Sequence, residues 1–219
     1  MGFAGRSTNS IPVPAAYAFA GWVFRLFARW MSKPGSDPLP DLNGRATVMV
    51  ANHSSISDVF YAIATLSNWR YPARCLVRYS YFDNPLIGAF LRSIDCIPAG
   101  GGGSDATAIA LDTLASGRPV AIMPEGRVTP RHQREPDGMG PFRPGFIEIA
   151  RQADAQILPV ALINADEVWD SRSKLPRLLP IRRPSVTLGA GTPIQLGDRD
   201  DATIEAEVRA QMASILAQA

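Results

Sequence analysis

Short apolar runs alternate with segments of helical spacing along most of the chain. Runs rich in valine, isoleucine and leucine suit buried strands at ATVMVAN (46–52), CLVRYSYF (75–82), SIDCIP (93–98), PVAIMP (119–124), QILPVALI (156–163) and VTLGAGTPI (186–194). Apolar positions spaced for a helix occur at SSISDVFYAIATL (54–66), ATAIALDTLAS (106–116), GFIEIARQA (145–153) and ATIEAEVRAQMASILAQ (202–218). This alternation predicts one layered α/β domain with a mixed, largely parallel sheet flanked by helices.

A different pattern precedes this domain. Residues 15–31 are apolar and aromatic except for Arg25 and Arg29, which lie four residues apart on one helical face. A membrane-spanning helix needs about 20 apolar residues, so this run is too short to span. Its composition favours a helix that lies in the membrane interface, although Ala18-Phe19-Ala20 also resembles the cleavage site of a secretory signal.

The charge is uneven although its sum is small. The 219 residues have a formal net charge of +2, which does not indicate a nucleic-acid-binding protein. Residues 1–36 and 171–197 contain lysine and arginine but no acid, a composition suited to an anionic membrane surface. We therefore expect a membrane-associating helix and linker over 1–36, a folded domain over 37–219, and a peripheral location on the cytoplasmic face of the cell membrane.

Cysteine and histidine are too sparse to suggest a metal site. The chain contains only Cys75, Cys96, His53 and His132, and they are widely separated in the sequence. We expect no structural metal.

The first pair of candidate catalytic residues lies where a predicted strand is followed by a predicted helix. In VMVANHSSISDVF, His53 follows a predicted strand, and Asp58 falls in the first turn of the next helix. A tight turn would bring the carboxylate back to the imidazole, and the pair could then remove a proton from an attacking hydroxyl. The same residues also permit a structural interpretation, because Ser55 and Asp58 have the spacing of a capping box.

A second polar turn follows the strand in PVAIMPEGRVTP. Gly126 permits close approach of the backbone, and Arg127 offers a guanidinium that could bind a phosphate or carboxylate. An ordinary surface turn has the same composition, so this stretch alone does not decide between the two.

These motifs resemble those of the glycerolipid acyltransferase family. NHSSISD (52–58) matches the family block N-H-x-S-x-x-D at every fixed position, MPEGRVT (123–129) resembles the block F-P-E-G-T-R, and ILPVAL (157–162) resembles the proline-valine strand. The resemblance extends over about residues 46–194, with the blocks in the family order.

The resemblance implies transfer of an acyl group from coenzyme A or acyl carrier protein to the free hydroxyl of a lysophospholipid, most commonly lysophosphatidic acid. It implies that His53 is the general base and that Asp58 orients it. It also implies substrate binding by Asn52, Ser55, Glu125, Gly126, Arg127 and Arg143. No cofactor is implied beyond the acyl donor itself.

One departure from the family pattern concerns the acceptor. The second family block, roughly G-x-x-F-I-x-R, falls on residues 93–99 and ends in Ala99 instead of the arginine associated with glycerol-phosphate binding. A lysolipid with another head group is therefore a rival acceptor, and Arg78, Arg92 or Arg127 are candidates to supply the missing charge.

Two alternatives remain open at this point. The segment 102–106 resembles a loosened nucleophile elbow, so Ser104 could serve a serine hydrolase with His132 as its base. Its ordinary interpretation is a loop before a helix that Ser104 or Asp105 caps. A membrane-bound relative that binds lipid without catalysis is the other alternative.

Overall fold

The computed structural model describes residues 11–100, 105–170, 172–173, 176 and 183–218. The strands are β1 (Lys33–Ser36), β2 (Thr47–Ala51), β3 (Arg74–Arg78), β4 (Ile97–Ala99), β5 (Val120–Ile122), β6 (Gln156–Ile163) and β7 (Ser185–Ala190). The α-helices are α1 (Ala15–Met31), α2 (Asp58–Trp69), α3 (Pro85–Ser93), α4 (Ala106–Ala115), α5 (Gly145–Gln152) and α6 (Asp201–Leu216). Single-turn helices lie at Tyr79–Tyr81, Arg131–Gln133 and Ala165–Glu167.

The strands form one mixed sheet in the order β1-β7-β6-β2-β5-β3-β4. Every pairing is parallel except the one between β6 and β7. The predicted fold class, a largely parallel α/β layer flanked by helices, is therefore confirmed. The central strands β2 and β6 are buried along their whole lengths, as expected for parallel strands that are covered on both faces.

Alternate residues of the central strands face two separate apolar layers. Met49 and Ala51 pack under α1, α2 and α3, whereas Val48 and Val50 pack under α4, α5 and α6. This alternation follows from the two-residue period of a strand. The helices thus cover both faces and leave the carboxyl ends of the parallel strands open at one edge.

Helix α1 is packed against the domain. It runs antiparallel to α2, because the backbone N–H of Ile11 donates to Arg70 while Ser32, just after α1, accepts a hydrogen bond from the Tyr61 hydroxyl (2.7 Å). Gly21 lies at the crossing, where a Cβ would collide with Ser67. Across the described ranges, no helix has the length and apolar character needed to cross a membrane.

Three elements differ from the sequence-based expectations. The strand expected over 93–98 is β4 at Ile97–Ala99, and Ser93 instead ends α3. Lys33–Ser36 was expected to be linker but forms the edge strand β1 beside β7, a pairing that the sequence KPGS does not signal. The strand expected over 75–82 ends at Arg78, and the chain then enters α3, which is capped by Asn84 and has proline at its start. Whether residues 1–36 form a separate unit stays a prediction.

The basic stretch 171–197 is only partly described. Residues 171, 174–175 and 177–182 lie outside the described residues. Beyond them, Arg183 donates to the carbonyl of Arg29 at 2.9 Å, so the described end of this stretch contacts α1.

Candidate active site

The two sequence motifs meet at the open edge of the sheet. His53 follows β2, and Glu125 follows the neighbouring strand β5, which pairs with β2 in parallel. Because the carboxyl ends of parallel strands lie side by side, the loops after β2 and β5 come together there. The edge of the sheet predicted from the sequence is therefore where the candidate residues gather.

His53 and Asp58 form the expected dyad. Nδ1 of His53 lies 3.1 Å from Oδ2 of Asp58, within hydrogen-bonding distance. The side chain of Asp58 is 0% exposed and that of His53 is 22% exposed. The carboxylate is thus enclosed while the imidazole remains accessible at the edge.

A network of donors fixes the Asp58 carboxylate. The backbone N–H groups of Ser54 and Ser55 donate to Oδ2 at 2.6 and 2.8 Å, and the Ser54 hydroxyl donates to Oδ1 at 3.2 Å. With the carboxylate as acceptor, Nδ1 of His53 carries the ring proton and Nε2 has the free lone pair. The capping box expected from Ser55 and Asp58 does not form, because α2 begins at Asp58 and its N-cap residue Ser57 makes no side-chain cap hydrogen bond; Asp58 instead accepts the N–H of Ser55 within the preceding turn.

Glu125 lies inside the site and holds the backbone of His53. Its Oε1 accepts the N–H of His53 at 2.7 Å, and its Oε2 accepts the Thr129 hydroxyl and the N–H of Gly140. The N–H of Thr129 in turn donates to the carbonyl of His53 at 2.8 Å. Both backbone polar groups of His53 are therefore held by the loop after β5. Glu125 is 6% exposed, and the predicted contact with the acceptor head group stays untested.

Asn52 and Ser55 are also buried and hydrogen-bonded within the protein. The Asn52 amide pairs with the backbone of Leu162 through two hydrogen bonds, extending the contact between β2 and β6. The Ser55 hydroxyl donates to the carbonyl of Trp169 at 2.6 Å. These contacts stabilise the turn that carries His53, and a role of either residue in binding substrate stays a prediction.

The guanidinium groups of Arg78 and Arg143 lie close to the backbone of Gly126. Arg78 donates to the carbonyl of Gly126 at 3.0 Å, and a Cβ on this glycine would lie 3.2 Å from Cζ of Arg143. Gly126 has φ +66, a conformation that favours glycine, and it is followed by the exposed Arg127. Within the described ranges, Arg78, Arg127 and Arg143 form no ion pair, so this group can bind an anion.

A second group of arginines near the site is already paired with acids. Arg131 and Arg134 lie 2.7 and 2.8 Å from Oδ2 of Asp166, beside a cavity of about 460 Å³ that Ser54 also lines. Burial opposes ionisation of Asp166, but the hydrogen bonds and charges of these arginines hold its pKa below the ordinary value. The arginines beside this cavity are therefore already neutralised in part by an acidic partner, unlike those near Gly126.

Several residues that stabilise the loops of the site by hydrogen bonds were not identified from the sequence. Thr129 and Gly140 bind the Glu125 carboxylate, and Arg134 donates to the carbonyls of Thr129 and Ser54 at 3.1 and 3.4 Å. Gly140 lies in the segment DGMGP, which carries no signal of a contact with the PEGR turn.

The remaining chemical candidates are separate from the dyad. His132 is exposed on the single turn Arg131–Gln133, and Asp105 caps α4 by accepting the N–H of Ala108. Ser104, proposed for a serine hydrolase, lies outside the described residues. Among the described residues no group of three or more histidine, cysteine or acidic side chains could hold a metal ion, and the expectation that none is needed stays a prediction.

Comparison with known proteins shows the family and the fold of the chain. No match was found among curated proteins by sequence. The fold is similar to the crystal structure of the 1-acyl-sn-glycerophosphate (LPA) acyltransferase PlsC from Thermotoga maritima, with TM-score 0.68 and 16% identity over 92% of this chain and 78% of that one. The model of the Acyltransferase family matches residues 33–163, which include both motifs. The resemblance seen in the sequence is thereby confirmed, and the chain belongs to the Acyltransferase family.

Proposed function

We propose that the protein moves a fatty acyl group from an acyl thioester to the free hydroxyl of a lysophospholipid, with 1-acyl-sn-glycerol-3-phosphate as the leading acceptor and phosphatidic acid as product. The donor is acyl-CoA or acyl carrier protein. The observation that carries this proposal is the His53–Asp58 hydrogen bond of 3.1 Å, made by a buried carboxylate and an accessible imidazole.

The acyl transfer needs one general base, which takes a proton from the acceptor hydroxyl and later gives it to the leaving thiolate. Nε2 of His53 takes the proton of the acceptor hydroxyl while the hydroxyl oxygen attacks the thioester carbonyl carbon. Asp58 stabilises the resulting imidazolium. When the intermediate collapses, the carbon–sulfur bond breaks, the new ester forms, and the imidazolium proton neutralises the departing thiolate. The step therefore requires no covalent acyl-enzyme.

The acceptor phosphate is assigned to the group around Gly126. Arg78, Arg127 and Arg143 bring three positive charges to the same edge as His53, and a phosphate is the anionic group that guanidinium binds best in a fork geometry. In the β3–β4 register Arg78 lies beside Ala99, the position at which the family resemblance expects an arginine. Arg78 is thus placed to supply the charge that Ala99 lacks.

Membrane association is part of the proposal because the acceptor resides in a bilayer. One face of α1 presents large apolar side chains to solvent: Phe19, Trp22, Val23, Leu26 and Trp30. The neighbouring Arg25 and Arg29 suit anionic head groups. We propose that α1 lies in the interface at the cytoplasmic face of the cell membrane.

The test is release of thiol from acyl-CoA, measured with a panel of lysolipids in detergent micelles and repeated with acyl carrier protein as donor. Release that requires lysophosphatidic acid supports the proposal with its leading acceptor. Release that requires a different lysolipid keeps the mechanism and identifies the rival head group. If no acceptor stimulates release with either donor, the acyltransferase proposal fails and a lipid-binding role without catalysis takes its place.

A further inference from the structure

Among the residues that the structure describes, the exposed large apolar side chains fall into two groups. One group is the α1 face described above. The second lies at the carboxyl edge of the sheet and consists of Ile56, Tyr79, Tyr81, Leu86 and Ile87. Among the described residues, α4, α5 and α6 present none. In the described part of the chain, the exposed large apolar side chains therefore lie on the α1 side and at the rim of the active-site crevice.

The start of α3 presents its apolar residues in a fixed geometry. Leu86 is 82% exposed and Ile87 is 44% exposed. Oδ1 of Asn84 accepts both of their backbone N–H groups at 3.0 Å, and Pro85 occupies the first helical turn. A capped, rigid turn that exposes a leucine and an isoleucine leaves apolar surface that only a partner can remove from water.

The second group is linked to the first through the apolar layer that covers one face of the sheet. The ring of Phe24 on α1 lies 5.7 Å from the ring of Phe90 on α3, and 4.8 Å from that of Phe60 on α2. Helices α1 and α3 therefore belong to the same layer and touch through these two rings. The single turn at Tyr79–Tyr81 follows β3 and connects this layer to the open edge that holds His53.

We propose that the segment 79–87 is a second membrane-inserting element, which enters the same leaflet as α1 and seats the bilayer against the mouth of the crevice. The choice of a lipid bilayer as the occupant rests on the proposed function. In this arrangement an acceptor reaches His53 from the bilayer without crossing water. Tyr79 and Tyr81 lie at the level of the head groups, where tyrosine is enriched in membrane proteins.

The charges favour a bilayer over a second copy of the chain. Arg78 and Arg92 border the segment, Arg29 lies on α1, and Asp83 is the one acid between residues 74 and 93. A two-fold dimer through this surface would bring the same basic patch against itself. An anionic lipid surface instead pairs with these arginines while it covers the apolar side chains.

The test places a fluorescent label at Leu86. The full chain carries Leu86→Cys modified with an environment-sensitive nitrobenzoxadiazole group, and the matched control carries the same label at Ala210→Cys, an exposed position on α6. The unsubstituted chain corrects for labelling of Cys75 and Cys96. Vesicles of phosphatidylcholine and phosphatidylglycerol are prepared with or without a spin label on the acyl chains.

The expected result is that spin-labelled lipid quenches the Leu86 label and that the bilayer shields it from iodide, whereas the Ala210 label shows the reverse. The proposal is overturned if the Leu86 label stays open to iodide while the protein sediments with vesicles, or if no vesicle binds the protein. It is also overturned if, in the absence of vesicles, the Leu86 label becomes more shielded from iodide as the protein concentration rises. That result would identify a second copy of the chain as the partner. None of these outcomes depends on catalysis, so they remain distinct from failure of the acyltransferase proposal.

A second variant tests the same inference without a label. Leu86→Ser with Ile87→Ser removes the apolar tip while leaving Asn84 and Pro85 in place, and we expect vesicle binding to fall about tenfold or more from the lost apolar burial. Thiol release in detergent micelles stays at the level of the unsubstituted chain. Unchanged sedimentation with vesicles would show that α1 alone binds the bilayer.

Discussion

The acidic and the basic side chains at the carboxyl edge of the sheet differ in their burial and in their hydrogen-bond partners. The carboxylates of Asp58 and Glu125 are buried and accept hydrogen bonds from nearby backbone N–H groups. The guanidinium groups of Arg78, Arg127 and Arg143 lie at the surface around Gly126. The contrast separates residues that hold the imidazole from residues that are free to bind a ligand.

We expect substitutions of the buried carboxylates and of the exposed arginines to change different kinetic constants. A buried acceptor that is removed leaves donors without partners and lets the loop carrying His53 shift, which lowers kcat. An exposed cation that is removed weakens binding of an anionic acceptor and raises KM. In the motif EGR, the buried carboxylate of Glu125 and the exposed guanidinium of Arg127 are separated by Gly126 alone, and we expect the first to position His53 and the second to bind the acceptor.

The largest effect is expected for Asp58→Asn. The amide keeps the volume but offers an N–H₂ group where Asp58 accepts several hydrogen bonds, so the imidazole loses its orienting carboxylate. We expect kcat to fall by about 10² to 10⁴ and the free energy of unfolding to fall by about 1–3 kcal/mol. Rate measurements together with urea unfolding check both numbers. A variant that unfolds earlier but retains full kcat would show that Asp58 only stabilises the turn before α2.

A smaller loss is expected for Glu125→Gln. The amide oxygen can still accept the N–H of His53, but the N–H₂ group then faces the N–H of Gly140, which loses its acceptor. We expect kcat to fall by about 10- to 100-fold, in line with about 1–3 kcal/mol for one buried unpaired donor. KM for the acceptor stays within about threefold, since the carboxylate has no free oxygen for a ligand. A large rise in KM at constant kcat would instead return Glu125 to the acceptor site.

The smallest of the three effects is expected for Arg143→Ala. Loss of one charge-assisted contact with the acceptor phosphate should raise KM about tenfold and leave kcat within about threefold. The matched control is Arg131→Ala, which removes an arginine already paired with Asp166 and should leave both constants unchanged. If the two substitutions changed KM and kcat equally, the absence of an ion pair at Arg143 would not mark it as an acceptor-binding residue.

Much of the fold was predictable because its signals are local. The strand QILPVALI occupies Gln156–Ile163 in the structure, as the apolar run indicated, and α4 begins after Asp105, one of the two expected caps. The order of strands was not predictable in this way. Strand β1 forms through pairing with β7, which is more than a hundred residues away in the chain, and its own residues carry no strand signal.

The candidate site shows the same division. His53 and Asp58 are five residues apart, so one turn brings them together and spacing alone could suggest their contact. The inward direction of Glu125 depends on Gly140 and Thr129, and the approach of Arg143 to Gly126 depends on a loop that returns to the edge. Such long-range packing leaves no local pattern in the sequence, so the contacts of Glu125 with His53, Thr129 and Gly140 could not be predicted, and its expected role in acceptor binding stays a prediction.

The central claim, that the imidazole of His53 is the general base, is tested most directly by comparing the two histidines of the chain. Steady-state thiol release is measured for His53→Ala and for His132→Ala, the exposed histidine outside the dyad, after both variants are shown to unfold at the same urea concentration as the unsubstituted chain. We expect a loss of about 10² to 10⁴ in kcat for His53→Ala and no loss for His132→Ala. Full activity of folded His53→Ala, or an equal loss in both variants, would contradict it.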